Sequence, residues 1–158
     1  MHTVPQTPWL YPEERAGVIG QMLEWGLLKF DNGRGLPVKS GGLTDVYVNE
    51  RDARDNSEAI DYLARLYESP LRQLGVSRFV EVPDSVSCFA GPLSMLTGLP
   101  YLTIREQAKE GRVTKAKVIG HPSSGDEVVI MDDVITDGAS KIAPYTECLE
   151  MGLNVKAP

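Results

Sequence analysis

The chain has 158 residues, 42% hydrophobic and 24% charged, which is enough for one domain with a sizeable core. Its 16 basic and 22 acidic residues leave a net charge of −6, which argues against broad binding to a nucleic-acid backbone. No apolar run approaches membrane-spanning length, and Met1-His2-Thr3-Val4-Pro5 has no basic segment followed by an apolar block, so a cytoplasmic protein without a membrane partner is expected. Cys88 and Cys148 lack CxxC spacing and read as reduced packing thiols, and His2 and His121 are too far apart to suggest a histidine metal site.

Pro12-Glu13-Glu14 has the form of a helix start, with acids at the positive end of the dipole. Ile19, Met22, Leu23 and Gly26 follow at helical spacing, and the helix is expected to end near Lys29-Phe30. Residues 36–42 read as a loop carrying Lys39 beside two glycines. Residues 44–49 alternate as a half-exposed strand does, Val46 and Val48 against Asp45, Tyr47 and Asn49. Asp55-Asn56-Ser57-Glu58 resembles a capping box, and Ile60, Leu63, Ala64 and Tyr67 mark one helical face that weakens at Pro70. A strand over 77–82, a helix over 88–97 closed by Gly98, and a strand over 100–104 come next. Strands and helices alternate from about residue 77 onward, the pattern of an α/β domain with a parallel sheet.

Residues 105–117 are charged and poor in large apolar side chains. They read either as a solvated loop or as a basic lid, with Arg105, Lys109, Arg112, Lys115 and Lys117 aimed at a phosphorylated ligand. Val118-Ile119 can return as a strand. Beyond the central motif, 142–151 reads as a helix with Pro144 in its first turn and Gly152 after its end, and 154–156 begins another strand.

The chain is organised around residues 127–141. An unbroken apolar run reads as a buried parallel strand. It ends in Asp132 and Asp133, at the strand's carboxyl end, where open α/β sheets bind ligands. Residues 136–140 can then present backbone N–H groups at a helix start, which suits phosphate. Acids beside a phosphate cradle point to a ligand with both hydroxyls and phosphate, with room for a divalent cation between them.

The run Asp132-Asp133-Val134-Ile135-Thr136-Asp137-Gly138-Ala139-Ser140 resembles the phosphoribosyl-diphosphate (PRPP) signature of type I phosphoribosyltransferases. Val38-Lys39-Ser40-Gly41 with Tyr47, and 105–109, resemble the Lys-Ser-Gly segment, aromatic strand and mobile basic loop of the orotate phosphoribosyltransferase branch. The resemblance implies the type I phosphoribosyltransferase fold, a central parallel sheet flanked by helices. It implies a single domain over 1–158, with a helix and small hood over about 1–50 and an α/β core over 51–158. It implies transfer of a phosphoribosyl group from PRPP to orotate, with Mg²⁺ and diphosphate release, in UMP biosynthesis. By the same resemblance Lys109, Asp132 and Asp133 are catalytic. Arg105, Lys109, Asp132, Asp133, Thr136, Asp137, Gly138, Ala139 and Ser140 bind PRPP. Lys39, Tyr47 and Thr136 lie at the orotate, and Asp132 and Asp133 touch the metal only through water or ribose hydroxyls. A homodimer, with the loop 105–117 reaching the neighbouring site, is implied as well.

Three features depart from that pattern. Glu106 follows Arg105 where a second basic residue is usual, Gly111 stands where His or Tyr is usual, and residues 83–87 hold neither a glycine nor a cation. Glu106 and Asp84 are therefore expected to repel diphosphate unless a cation intervenes, with Arg112, Lys115 and Lys117 as possible compensation. The family also continues through a further strand with an Asp-Arg pair, so the chain is expected to be most of the domain or part of a longer polypeptide. Three alternatives stay open: a phosphoribosyltransferase for another base, a non-catalytic PRPP-sensing domain, and a simple metal site at the acid pair.

Overall fold

A computed structural model describes residues 12–38, 41–105, 117–135 and 138–156. The first helix, α1 (Pro12–Glu24), is shorter than the spacing predicts. Gly26 adopts φ +70 and its N–H donates to the Leu23 carbonyl, which ends the helix. Residues expected as its last turn instead form β1 (Leu28–Phe30). β2 (Leu36–Pro37) pairs antiparallel with β3 (Leu43–Thr44), and β1 pairs antiparallel with β4 (Val46–Val48). The expected single strand over 44–49 is thus split at Asp45, and part of the expected 36–42 loop is strand.

A 3-10 segment, Glu50–Asp55, leads into α2 (Ser57–Leu74). Asn56 caps α2 by accepting from the Glu58 and Ala59 N–H groups. The helix runs through Pro70 instead of weakening there, and stops at Gly75 in the left-handed conformation. β5 (Arg78–Glu81), α3 (Ser87–Thr97) and β6 (Tyr101–Ile104) follow, with Gly98 closing α3. β7 (Val118–Ile119), β8 (Glu127–Met131), α4 (Ala139–Glu150) and β9 (Asn154–Val155) complete the order. α4 starts three residues earlier than expected, so Pro144 lies in its second turn and not its first.

The main sheet has the order β7-β6-β5-β8-β9. β6, β5, β8 and β9 are parallel, and β7 is an antiparallel edge. Alternate side chains leave opposite faces. Phe79, Val129 and Met131 join the core under α2 and α3, with Leu63, Phe89 and Leu93. Val80 and Val128 join a second core with Leu102, Cys148 and Leu153, which includes α4. Burial on both faces explains the unbroken apolar run of β8. Phe79 and Phe89 are fully buried, each contributing about 1.5–3 kcal/mol of apolar burial.

This order fixes where a ligand can sit. From β5 the chain moves outward to β6, then returns to β8 on the other side of β5. The carboxyl ends of β5 and β8 therefore flank a topological switch point, the usual crevice of such sheets.

Candidate active site

The acid pair stands at the end of β8, on that crevice. Asp132 is held tightly. Its Oδ1 accepts from the Asp133 N–H (2.9 Å), and its Oδ2 pairs with the Lys141 ammonium. Burial alone would raise its pKa, but hydrogen bonds from Lys141, Ser85 and Asp133 outweigh burial and keep it below the usual carboxylate value. Asp133 is shifted upward, first by burial and then by its acidic neighbour, against the charge of Arg51. The pair is thus split into a firmly ionised member and a more basic one.

A third carboxyl belongs to the same neighbourhood. Glu50 is 4% exposed, and the Tyr67 hydroxyl lies 3.2 Å from each of its carboxyl oxygens. Burial pushes its pKa up to about 8, helped by the charges of Asp133 and Asp132. Tyr67 stacks on Phe89 (centroids 5.1 Å), and the Cys88 thiol donates to the Glu50 carbonyl (3.4 Å), so α2 and α3 both fix this residue. The sequence reading missed Glu50, since its partner is 17 residues away.

Gly138 has φ +76 and precedes α4, so the chain turns sharply from the acids into the helix. Ser140 is exposed in the first turn, and its hydroxyl accepts from Lys141 Nζ (2.6 Å). Ala139 opens the helix. Thr136 and Asp137, together with Lys39, Lys109, Glu106 and Gly111, lie outside the described residues. The structure therefore brings Asp132, Asp133 and Ser140 together through Lys141, a residue the sequence reading left without a role.

The turn after β5 is the expected diphosphate side. Asp84 adopts φ +67 in the turn after β5 and lies 3.5 Å from Arg54, with both side chains exposed. Arg54 is thus a cation beside Asp84 that the sequence did not suggest. Glu81, at the end of β5, is 6% exposed. The Thr103 hydroxyl donates to its Oε1, and its Oε2 has no hydrogen-bond partner. Arg105 follows β6, and its N–H donates to the Lys117 carbonyl (2.9 Å) across the base of the basic segment. Lys117 pairs with Glu147 on α4, so its charge is already engaged and the compensation expected from it is not evident. Tyr47 is half-buried on β4 opposite Lys29, in a sheet separate from the one that carries the acids.

No protein-family model matches the chain. It is 24% identical over 147 residues to the orotate phosphoribosyltransferase of Thermococcus gammatolerans, covering 92% of this chain and 76% of that protein. The figures for the Archaeoglobus fulgidus enzyme of the same name are 27% over 140 residues, 89% and 76%. For that of Pyrobaculum islandicum they are 31% over 125 residues, 79% and 63%. Among solved structures, Leishmania donovani UMP synthase superposes with a TM-score of 0.74 at 24% identity, over 88% of this chain and 29% of that one. Orotate phosphoribosyltransferase from Aeropyrum pernix gives 0.67 at 21% identity, over 87% and 76%. These likenesses carry the type I phosphoribosyltransferase fold. By that fold and by its sequence relatives, the chain is similar to the orotate phosphoribosyltransferases of the type I phosphoribosyltransferase family.

Proposed function

We propose that the chain transfers the 5-phosphoribosyl group of PRPP to orotate, giving orotidine 5′-monophosphate and diphosphate. The observation that carries this reading is the acid pair at the switch point, followed at once by Gly138 and the N-terminus of α4. Asp132 and Asp133 would accept from the ribose hydroxyls, and residues 136–140 would take the 5′-phosphate. Arg105 and Lys109 would meet the diphosphate, and Lys39, Tyr47 and Thr136 the base. As diphosphate leaves C1, positive charge grows on the sugar, and a ring nitrogen of orotate attacks. The ionised acids beside the ribose favour that charge, and positioning does much of the rest.

Mg²⁺ belongs to the proposal only as a counterion travelling with the diphosphate. The acid pair itself does not fit a directly held ion. Both Asp132 oxygens already have protein partners, and among the described residues no group of three or more His, Cys, Asp or Glu side chains could hold a metal. A cytoplasmic homodimer, with 105–117 reaching the neighbouring site, completes the reading. Among the described residues no helix is long and apolar enough to cross a membrane. Phe30 and Val46, opposite each other across β1 and β4, are both exposed and offer apolar surface to a second copy. Light scattering tests that part.

The activity is tested by following orotate absorbance with PRPP and Mg²⁺, with uracil, adenine and hypoxanthine as controls. Loss of absorbance with orotate alone is expected. Turnover of a different base would change the substrate, and PRPP binding without turnover of any base would support a sensing domain.

A further inference from the structure

Lys141 is the third residue of α4. A cation in a helix's first turn faces the positive end of the dipole, so helix formation does not favour it there. Its side chain is 19% exposed and turns back onto Asp132, whose side chain is 6% exposed. The ammonium pairs with Asp132 Oδ2 and donates to the Val134 carbonyl (3.1 Å) and to Ser140 Oγ (2.6 Å). All three of its donors are used. The second acid has a cation as well, because the Arg51 charge acts on Asp133. Glu50, the third carboxyl of this neighbourhood, is neutral below about pH 8. The strand end therefore holds one carboxylate ion-paired to Lys141 and a second whose charge Arg51 offsets only in part.

A cluster of bare carboxylates would need an external cation before an anionic ligand could approach. This cluster does not. With Asp133, Lys141 and Ser85 already donating to it, Asp132 keeps about one of a carboxylate's roughly four acceptor sites for a ribose hydroxyl. The ammonium also sits against Ser140, in the segment expected to receive the 5′-phosphate.

We propose that Lys141 is the built-in counter-cation of the acid pair, so that the site takes a ribose 5-phosphate group without a divalent ion at these carboxylates. The proposal rests on the phosphoribosyl reading of the site, and it makes Lys141 a positioning residue that joins the ribose half of the site to the phosphate half.

Calorimetric titration of ribose 5-phosphate into the full chain, in EDTA and in excess Mg²⁺, tests it for the wild type, Lys141→Met and Lys141→Arg. Wild-type affinity is expected to agree within about twofold between the two buffers. Lys141→Met should weaken binding by about tenfold or more in EDTA and regain most of it in Mg²⁺, while Lys141→Arg stays near the wild type. A merely structural lysine would not make affinity depend on Mg²⁺. A strict Mg²⁺ requirement in the wild type overturns the proposal without recourse to any variant, as does a folded Lys141→Met that binds equally well in EDTA. In both cases the phosphoribosyl reading survives. No binding by the wild type in either buffer overturns that reading, and the proposal with it.

Discussion

Two loops follow neighbouring strands at the carboxyl end of the sheet and settle their charge in opposite ways. After β8, Asp132 is matched by Lys141, Arg51 acts on Asp133, and Glu50 retains its proton. After β5, Glu81 is buried with one carboxyl oxygen unpartnered, and the Asp84 carboxylate has an exposed contact with Arg54. An unpartnered buried acceptor costs free energy that a partnered one does not. The β8 side is thus charge-paired in the free chain, whereas the β5 side keeps acids with incomplete partners; under the proposed function these would be the ribose-phosphate and diphosphate sides. Ligand affinity should come mainly from the β8 side.

That contrast can be broken from either loop. Changing Asp132 and Asp133 together to Asn should weaken PRPP binding by about a hundredfold, taking two hydrogen bonds to charged groups at about 1.5 kcal/mol each. Circular dichroism should show the fold retained, and unchanged affinity would mean that the acids do not face the ribose. Glu81→Gln should act in the other direction. It replaces a buried carboxyl that has an incomplete set of partners, so the melting temperature should rise and diphosphate inhibition should tighten by about threefold to tenfold. A fall in both would show that Glu81 is needed as it stands.

Glu50 gives a pH signature. Its carboxyl is pushed from an ordinary 4.5 to about 8, so between these values the folded chain keeps a proton that the unfolded chain has lost. Its contribution to stability should therefore fall as pH rises from about 4.5 to 8 and level off above, by up to a few kcal/mol. Thermal melts across this range should show the decline in the wild type and a flatter profile in Glu50→Gln. The same decline in the variant would place the titration elsewhere. The smallest effect is expected at Gly138→Ala. Nothing lies within 4 Å of the added carbon, so only the φ of +76 is strained, at about 1 kcal/mol, with phosphate binding weakened a few-fold.

Local signals carried much of this into the sequence. The Asn56 cap, Gly75 and Gly98 bound α2 and α3 as chain chemistry demands, and the apolar run of β8 announced a strand buried on both faces. The acid pair was legible because strand end, acids and helix start are contiguous. The end of α1 was misjudged because Gly26 was counted on an apolar face when its positive φ stops the helix. Glu50 and Glu81 could not be seen as buried acids, since Tyr67 and Thr103 reach them from other elements. The engagement of Lys117 by Glu147, 30 residues on, was hidden for the same reason. Lys141 stood inside the motif, yet its fold back onto Asp132 depends on the turn at Gly138.

A crystal structure with ribose 5-phosphate bound tests the account most directly. The phosphate is expected on the backbone N–H groups at the start of α4, with the ribose hydroxyls within hydrogen-bond distance of Asp132 or Asp133. Phosphate bound at another part of the sheet edge, with the acid pair and Lys141 untouched by the sugar, would contradict it.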